Sequence, residues 1–136
     1  MADERERSSI SILIVDDEPI VGSVVSKYLR QAGYQNVVFL SNPELALDWV
    51  KEFRPTMVLL DVFMGAKSGL EVLQDIRDDP SLDEVTVMML SSAGQEEQFK
   101  SLEMGAMGFI QKPTTQKELD SQIQRTLKVA SRVRKL

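Results

Sequence analysis

The sequence predicts one α/β domain in which five parallel strands alternate with five helices. Five short apolar segments are rich in Val, Ile, Leu and Met, which is typical of strands that helices cover on both faces. Between them, apolar residues recur at helical spacing and are bounded by capping residues, glycines and prolines. The length of 136 residues and the 43% hydrophobic content fit a single domain. With right-handed crossovers, this pattern predicts a doubly wound five-stranded parallel sheet, (βα)5.

The elements follow in order along the chain. The predicted strands are 10–15, 36–40, 57–60, 85–90 and 108–110. Pro19 suits the first turn of the first helix, and Gly33 ends it. A helix that begins near Pro43 is expected to bury Leu45, Trp49 and Val50.

The last three helices have clear boundaries too. The third begins after the loop 65–69 and ends at Asp79-Pro80. A polar fourth helix, 95–104, has Phe99 and Leu102 as its apolar anchors, so it is expected to be marginally stable. The fifth begins at the capping box 115–118.

The composition excludes several kinds of chemistry. The chain contains no cysteine and no histidine, which removes disulfides, thiolate catalysis and every nucleophile that a histidine activates. The net charge of -5 and the sequence pI near 4.8 argue against direct nucleic acid binding through the overall field. No apolar run approaches the ~20 residues of a membrane span, so we expect a cytoplasmic protein without a membrane anchor.

Five polar side chains follow the predicted strands where these strands end. They are Asp16, Asp17, Asp61, Ser91 and Lys112. In a doubly wound sheet these loops open on one edge, so the side chains are expected to converge. Two carboxylates about 4 Å apart repel by roughly 4 kcal/mol at an effective dielectric of about 20, and one lysine neutralises only part of that charge. The remainder fits Mg²⁺, which binds carboxylates and phosphate oxygens and suits phosphoryl chemistry.

From Ile10 to about Lys128, the chain resembles the receiver domains of two-component response regulators, which have a flavodoxin-like fold. The resemblance implies that Asp61 is the phosphoacceptor. It also implies that Asp16, Asp17 and Asp61 bind Mg²⁺ together with the backbone carbonyl of Phe63. The domain would then catalyse only its own phosphorylation and slow dephosphorylation and would not be an enzyme for other substrates.

The resemblance also implies a switch. Lys112 would stabilise the transferring oxygens, and the Ser91 hydroxyl would bind the acyl phosphate. Phe109 would then rotate inward and alter the surface built from the fourth helix, fifth strand and fifth helix. Because the chain has no histidine, the donor must be another protein, a sensor histidine kinase or a phosphotransfer protein. An output domain or a downstream protein would read the switch.

Three positions depart from the family pattern. Gly65 stands near the place where a proline is common, which predicts a looser loop. Ser68 replaces a common acidic residue, and Ser91 replaces a commoner threonine. Phe63 and Ala93 stand at the two positions that, in the family it resembles, tune phosphoryl loss, and neither side chain can position a water by hydrogen bonding. This predicts slow self-dephosphorylation.

Other functions fit less well. A phosphatase of the haloacid dehalogenase type needs an aspartate where Phe63 stands, and no glycine-rich nucleotide-binding motif occurs. The remaining alternative is a receiver that works by protein contact without phosphorylation.

The two ends of the chain are assigned to segments outside the receiver domain. Residues 1–8 are expected to be a disordered tail, and 9–128 to be the receiver domain. Residues 129–136 are expected to be an overhang of the last helix, basic and with apolar Val129, Val133 and Leu136. That overhang is a possible linker to an output domain or to a dimer partner, and a homodimer could also use the switch surface.

Overall fold

The computed structural model describes residues 4–134, with the side chains of residues 6–133. Two short 3₁₀ turns, Pro43–Leu45 and Pro80–Leu82, supplement the main elements. The strands are β1 (Ser11–Val15), β2 (Asn36–Leu40), β3 (Met57–Leu60), β4 (Thr86–Ser91) and β5 (Gly108–Gln111). The helices are α1 (Glu4–Ser8), α2 (Pro19–Gln31), α3 (Ala46–Phe53), α4 (Gly69–Arg77), α5 (Gln95–Glu103) and α6 (Gln116–Arg134).

All five strands are parallel and form one sheet in the order β2-β1-β3-β4-β5. The chain leaves β1 toward one edge, to β2, and then crosses back to the other side of β1 with β3. The loops after β1 and β3 therefore diverge, and a crevice opens between them at the carboxyl edge of the sheet. This order confirms the predicted doubly wound, flavodoxin-like fold.

Helices cover both faces of the sheet. On one face, α2 and α6 bury Leu29 and Ile123 against strand residues such as Leu59. On the other face, α3 and α4 bury Val50 and Leu73 against strand residues that alternate with the first set. Because successive strand residues point to opposite faces, the four residues of β3 serve both core layers and are all buried. This explains why the strands have no polar alternation.

The predicted strands agree with the observed strands to within one residue at every end. The one change that concerns the candidate site is at β4, where Val85 precedes the strand and Ser91 is its last residue. Ser91 is therefore held by the sheet and is not a loop residue.

The expectation of a disordered tail over residues 1–8 is wrong for residues 4–8, which form α1. The Arg7 guanidinium makes a salt bridge with Asp120 on α6, at 2.9 Å, and lies 5.9 Å from the centre of the Tyr34 ring. These contacts fix a segment whose composition alone resembles that of a disordered tail. Residues 1–3 lie outside the described residues.

The predicted buried faces of two helices are also wrong in part. In the second predicted helix Val50 is buried, but Leu45 and Trp49 are 44% and 40% exposed. In α5, Phe99 and Leu102 are 67% and 42% exposed and do not anchor the helix. Both helices are present where they were predicted, but the side of each helix that faces the sheet differs from the predicted one.

The last helix packs on the domain beyond the predicted boundary at residue 128. Ala130 is 3% exposed, whereas Val129 and Val133 are 43% and 55% exposed. The overhang therefore begins after Ala130, and the side chains of Val129 and Val133 stay partly open to solvent. Residues 135 and 136, with Leu136 of the predicted stripe, lie outside the described residues. Among residues 4–134, no helix is long and apolar enough to cross a membrane.

Candidate functional site

Asp61 directly follows the central strand β3 and is only 5% exposed. Its backbone N–H donates a hydrogen bond to the Val15 carbonyl at 3.1 Å, which continues the pairing of β1 and β3 beyond the strands. The Gly69 N–H donates to the Val62 carbonyl at 2.8 Å and brings the start of α4 against the same loop. The acid is thus fixed by backbone contacts on both sides.

Gly69 is a site residue that the sequence analysis treated only as a helix start. A Cβ atom at this position would lie 1.8 Å from the Asp61 carbonyl oxygen. No side chain fits that gap without moving the backbone of Asp61. The glycine before a predicted helix was the available signal, but glycine at a helix start can equally serve the turn that precedes the helix.

Three carboxylates meet at this edge of the sheet. Oxygens of Asp16, Glu18 and Asp61 all lie within 4.8 Å of one another. Asp16 is 3% exposed, and its Oδ1 accepts a hydrogen bond from the Glu18 N–H at 2.9 Å. Such a set of hard oxygen donors in one place fits a hard divalent cation that can share their negative charge.

Lys112 brings a positive charge to the same place. Its Nζ lies 2.6 Å from Asp16 Oδ2 and 3.5 Å from Asp61 Oδ2. The backbone N–H of Lys112 donates to the Ser91 carbonyl at 2.9 Å, so the ladder between β4 and β5 positions it. The predicted convergence of Asp16, Asp61 and Lys112 is present in the structure.

Asp17 has a different position from the one expected of a metal ligand. Its Oδ2 accepts a hydrogen bond from the Gly65 N–H at 2.8 Å, which ties the loop after β1 to the loop after β3. The third carboxylate of the cluster is that of Glu18, which the sequence analysis missed. The acidic run Asp16-Asp17-Glu18 was the signal, but only two of its residues were considered. The hydrogen bond from the Gly65 backbone N–H thus restrains the loop after β3.

A second anchor restrains the same loop. The Lys67 ammonium pairs with Asp75 on α4. This hydrogen bond raises the pKa of Lys67 and keeps the side chain charged. The segment between Asp61 and α4 is therefore tied to α4 as well as to Asp17.

Ser91 and Phe109 lie on the neighbouring strands β4 and β5. Ser91 is fully buried, and its Oγ accepts a hydrogen bond from the Ala93 N–H at 3.2 Å. Phe109 is paired with Met89 in register and is half-buried against the core layer that contains α3 and α4. Phe63 lies on the loop two residues after Asp61, with its side chain 58% exposed.

Comparisons with known proteins agree with this arrangement. Residues 12–124 match the response regulator receiver domain. A probable transcriptional regulator, ycf27 of Porphyra purpurea, is 33% identical over 129 residues, which is 94% of this chain and 51% of that protein. The phosphate regulon transcriptional regulatory protein PhoB of Pseudomonas aeruginosa is 29% identical over 119 residues, 87% of this chain and 52% of that protein.

Solved structures give the same result. The chemotaxis protein CheY4 of Vibrio cholerae has a TM-score of 0.79 at 26% identity, covering 86% of this chain and 98% of that chain. NtrX of Brucella abortus has a TM-score of 0.81 at 28% identity, covering 93% of this chain and 28% of that chain. The chain spans about half the length of the curated relatives it matches. By its sequence and its fold, it belongs to the receiver domain family of two-component response regulators.

Proposed function

We propose that Asp61 accepts a phosphoryl group and that this modification is the signal the domain transmits. The observation that carries the proposal is the position of Lys112 Nζ between the carboxylates of Asp16 and Asp61. A buried carboxylate beside a fixed ammonium group is suited to attack a phosphorus atom, because the ammonium stabilises the charge on the transferring oxygens.

The donor is a phosphohistidine outside residues 1–136, since these residues include no histidine. An Asp61 oxygen forms a bond to phosphorus while the bond from phosphorus to the imidazole nitrogen breaks, and the departing imidazole takes up a proton. A sensor histidine kinase or a phosphotransfer protein supplies that group.

A groove next to the site suits the docking of such a donor. It has a volume of about 380 Å³ and is lined by apolar residues of α2 and by the Lys112–Thr114 segment. Ile20 and Val24, on its α2 side, are 80% and 42% exposed. An apolar helix of the donor placed here would bring its phosphohistidine toward Asp61.

Mg²⁺ is the cation that we assign to the carboxylate cluster. Asp16 and Asp61 would hold it with Glu18, with the Phe63 backbone carbonyl, and with Asp17 if that side chain leaves Gly65. When bound, Mg²⁺ supplies positive charge that balances the phosphoryl oxygens.

The signal leaves the site through Ser91. Its hydroxyl hydrogen is available to a phosphoryl oxygen, because the hydrogen bond with Ala93 uses the hydroxyl only as an acceptor. A new bond to the phosphoryl group would draw the β4–α5 loop toward Asp61, and Phe109 would follow. The altered surface comprises α5, β5 and α6, which are the predicted fourth helix, fifth strand and fifth helix. We assign it to an output domain, a downstream protein or a second copy of the chain.

The test is direct phosphorylation. Incubation with Mg²⁺ and acetyl phosphate should add the mass of one phosphoryl group to the wild type and none to Asp61→Asn. Asp83→Asn, at an exposed acid outside the cluster, is the matched control and should be modified like the wild type. A wild type that stays unmodified would favour the receiver that works by contact alone.

A further inference from the structure

A second groove lies between α1 and α6 and contains none of the residues of the Asp61 site. Its volume is about 670 Å³. It is lined by Glu6, Arg7, Lys117, Asp120, Ser121, Gln124, Arg125 and Lys128. Helix α1, which forms one wall of the groove, ends just before β1 begins and therefore lies at the amino edge of the sheet. Asp61 follows β3 at the carboxyl edge.

Part of the groove lies outside the residues matched by the family model. The family match covers residues 12–124, so α1 on one side and Arg125 and Lys128 on the other lie outside it. The chemistry proposed at Asp61 uses none of the residues that line this groove.

A hydrogen-bonded network holds the α1 wall in place. The Arg7 guanidinium donates to both oxygens of Asp120, at 3.2 and 2.9 Å. The Tyr34 hydroxyl donates to Asp120 Oδ1 at 2.7 Å, and the Gln124 amide donates to the Tyr34 oxygen at 2.7 Å. The groove is thus formed before any ligand arrives, and the charge of Asp120 is already compensated.

The remaining charge in the groove is mainly positive. Lys117, Arg125 and Lys128 are exposed, and none of them forms an ion pair with any side chain of residues 6–133. Glu6 is the other acid that lines the groove. From residue 121 to residue 134, α6 contains no acidic residue, although the whole chain carries a net charge of -5.

We propose that this groove, which we call the α1–α6 groove, binds an acidic segment of a partner protein. Lys117 and Lys128 are separated by about 17 Å along the helix at about 1.5 Å per residue. An extended segment of about five residues spans that distance and can place carboxylates opposite these cations. The groove does not suit a nucleic acid, because a long polyanion would also meet the negative field of the rest of the domain. A short segment is affected mainly by charges within a Debye length of about 8 Å.

The probe is a fluorescein-labelled peptide of alternating Asp and Glu, of about ten residues so that it exceeds the length of the groove. Its fluorescence anisotropy is measured with the unphosphorylated full chain at physiological salt. Arg125→Glu/Lys128→Glu should weaken binding at least about tenfold, since two attractive contacts become repulsive. Lys27→Glu/Lys100→Glu, at exposed lysines outside the groove, makes the same change in net charge and should bind like the wild type.

Circular dichroism of both double variants should match the wild type, because all four side chains are exposed. The proposal is overturned if the peptide does not bind, or if both double variants lose affinity equally. It is also overturned if a single-stranded DNA of equal charge, or vesicles of anionic lipid, bind in preference to the peptide. These outcomes do not depend on whether Asp61 can be phosphorylated.

Discussion

At Gly69 there is no room for a side chain beside the Asp61 backbone, so the position of the acid depends on a glycine. The Cβ of Gly69→Ala would lie 1.8 Å from the Asp61 carbonyl oxygen, and the backbone must shift to admit it. We expect the free energy of unfolding to fall by at least about 2 kcal/mol, as for an overpacked core. We also expect phosphorylation of Asp61 by acetyl phosphate to slow. Urea denaturation and intact mass measure the two effects.

Gly22→Ala is the matched control for Gly69→Ala. Its Cβ would also be too close to other atoms, at 2.1 Å from the ring of Phe39. That ring is half-buried and borders an open groove with Ser23 and Lys27, so it can turn away. The helix also gains about 1 kcal/mol in propensity when alanine replaces glycine, so we expect only a small change in stability. An equal loss of stability in both variants would contradict this distinction.

We expect Phe63 and Ala93 to influence how long a phosphoryl group would remain on Asp61. Ala93 is 1% exposed and Phe63 is 58% exposed, and neither side chain has a group that can orient a hydrolytic water. We expect the isolated domain to keep its phosphoryl group for minutes or longer after acetyl phosphate is removed. Phe63→Asn should shorten that time, and Phe63→Leu, which has no polar group, should not. A wild-type lifetime of seconds, measured by intact mass, would refute the expectation.

At the scale of elements, the contact between α1 and α6 depends on the charge of Asp120. Burial raises the pKa of Asp120, but the hydrogen bonds from Arg7 and Tyr34 and the charge of Arg7 outweigh this effect and hold it below its usual value. The ionised carboxylate therefore stabilises the folded state above its unfolded pKa of about 3.9. This contribution is lost as the pH falls through the lower pKa of the folded state.

Asp120→Asn should reduce the free energy of unfolding at pH 7 by about 1.5 to 3 kcal/mol, the range for hydrogen bonds to a charged group. The difference from the wild type should shrink as the pH falls below about 4, because Asp120 is then protonated first in the unfolded state and, at lower pH, in the folded state too. Urea denaturation as a function of pH measures both quantities. Asp48→Asn, at an exposed acid on α3, is the control and should lack this pH dependence. A difference that stays constant with pH would show that the charge of Asp120 is not the cause.

Patterns along the chain predicted the strands more reliably than the buried sides of the helices. A strand such as β3 is buried on both faces, so its four apolar residues identify it without knowledge of its neighbours. Trp49 and Phe99 show the opposite case. Both recur at helical spacing, but the part of the helix that packs depends on how the helix crosses the sheet, and both side chains remain partly exposed.

For the whole molecule, the carboxylate cluster is a source of charge repulsion in the folded state. Asp61 has carboxylate oxygens of Asp16 and Glu18 within 4.8 Å and the Lys112 ammonium at 3.5 Å. At an effective dielectric of about 20, two repulsions at such distances exceed one attraction by about 2 kcal/mol. Without a bound cation, this repulsion lowers the free energy of unfolding of the domain, and a cation would relieve it.

Asp61→Asn should therefore raise the free energy of unfolding in EDTA by about 1 to 2 kcal/mol. Millimolar Mg²⁺ should raise the melting temperature of the wild type and should raise that of Asp61→Asn less, because a bound ligand stabilises only the state that binds it. Differential scanning calorimetry with and without Mg²⁺ measures both effects. Asp83→Asn, which lies outside the cluster, should respond to Mg²⁺ like the wild type. An Asp61→Asn variant less stable than the wild type in EDTA would contradict the charge argument.

The sequence by itself determined the doubly wound sheet and the meeting of Asp16, Asp61 and Lys112. Both follow from local causes, since apolar runs define the strands and parallel strands end at one edge of the sheet. Only the tertiary structure decided which neighbour of Asp16 completes the cluster. Adjacent carboxylates on a loop are equivalent in a sequence pattern. In the structure Asp17 accepts a hydrogen bond from Gly65, and Glu18 lies in the cluster with Asp16 and Asp61.

The tertiary structure also decided the role of the N-terminal segment. Arg7 and Asp120 are 113 positions apart, so nothing near Arg7 in the sequence indicates its partner. Their pairing depends on α6 reaching the end of α2, where Tyr34 joins them. The charged terminal segment thus becomes a wall of the α1–α6 groove by packing against α6. The free energy of the Arg7–Asp120 contact comes from groups that only the fold brings together.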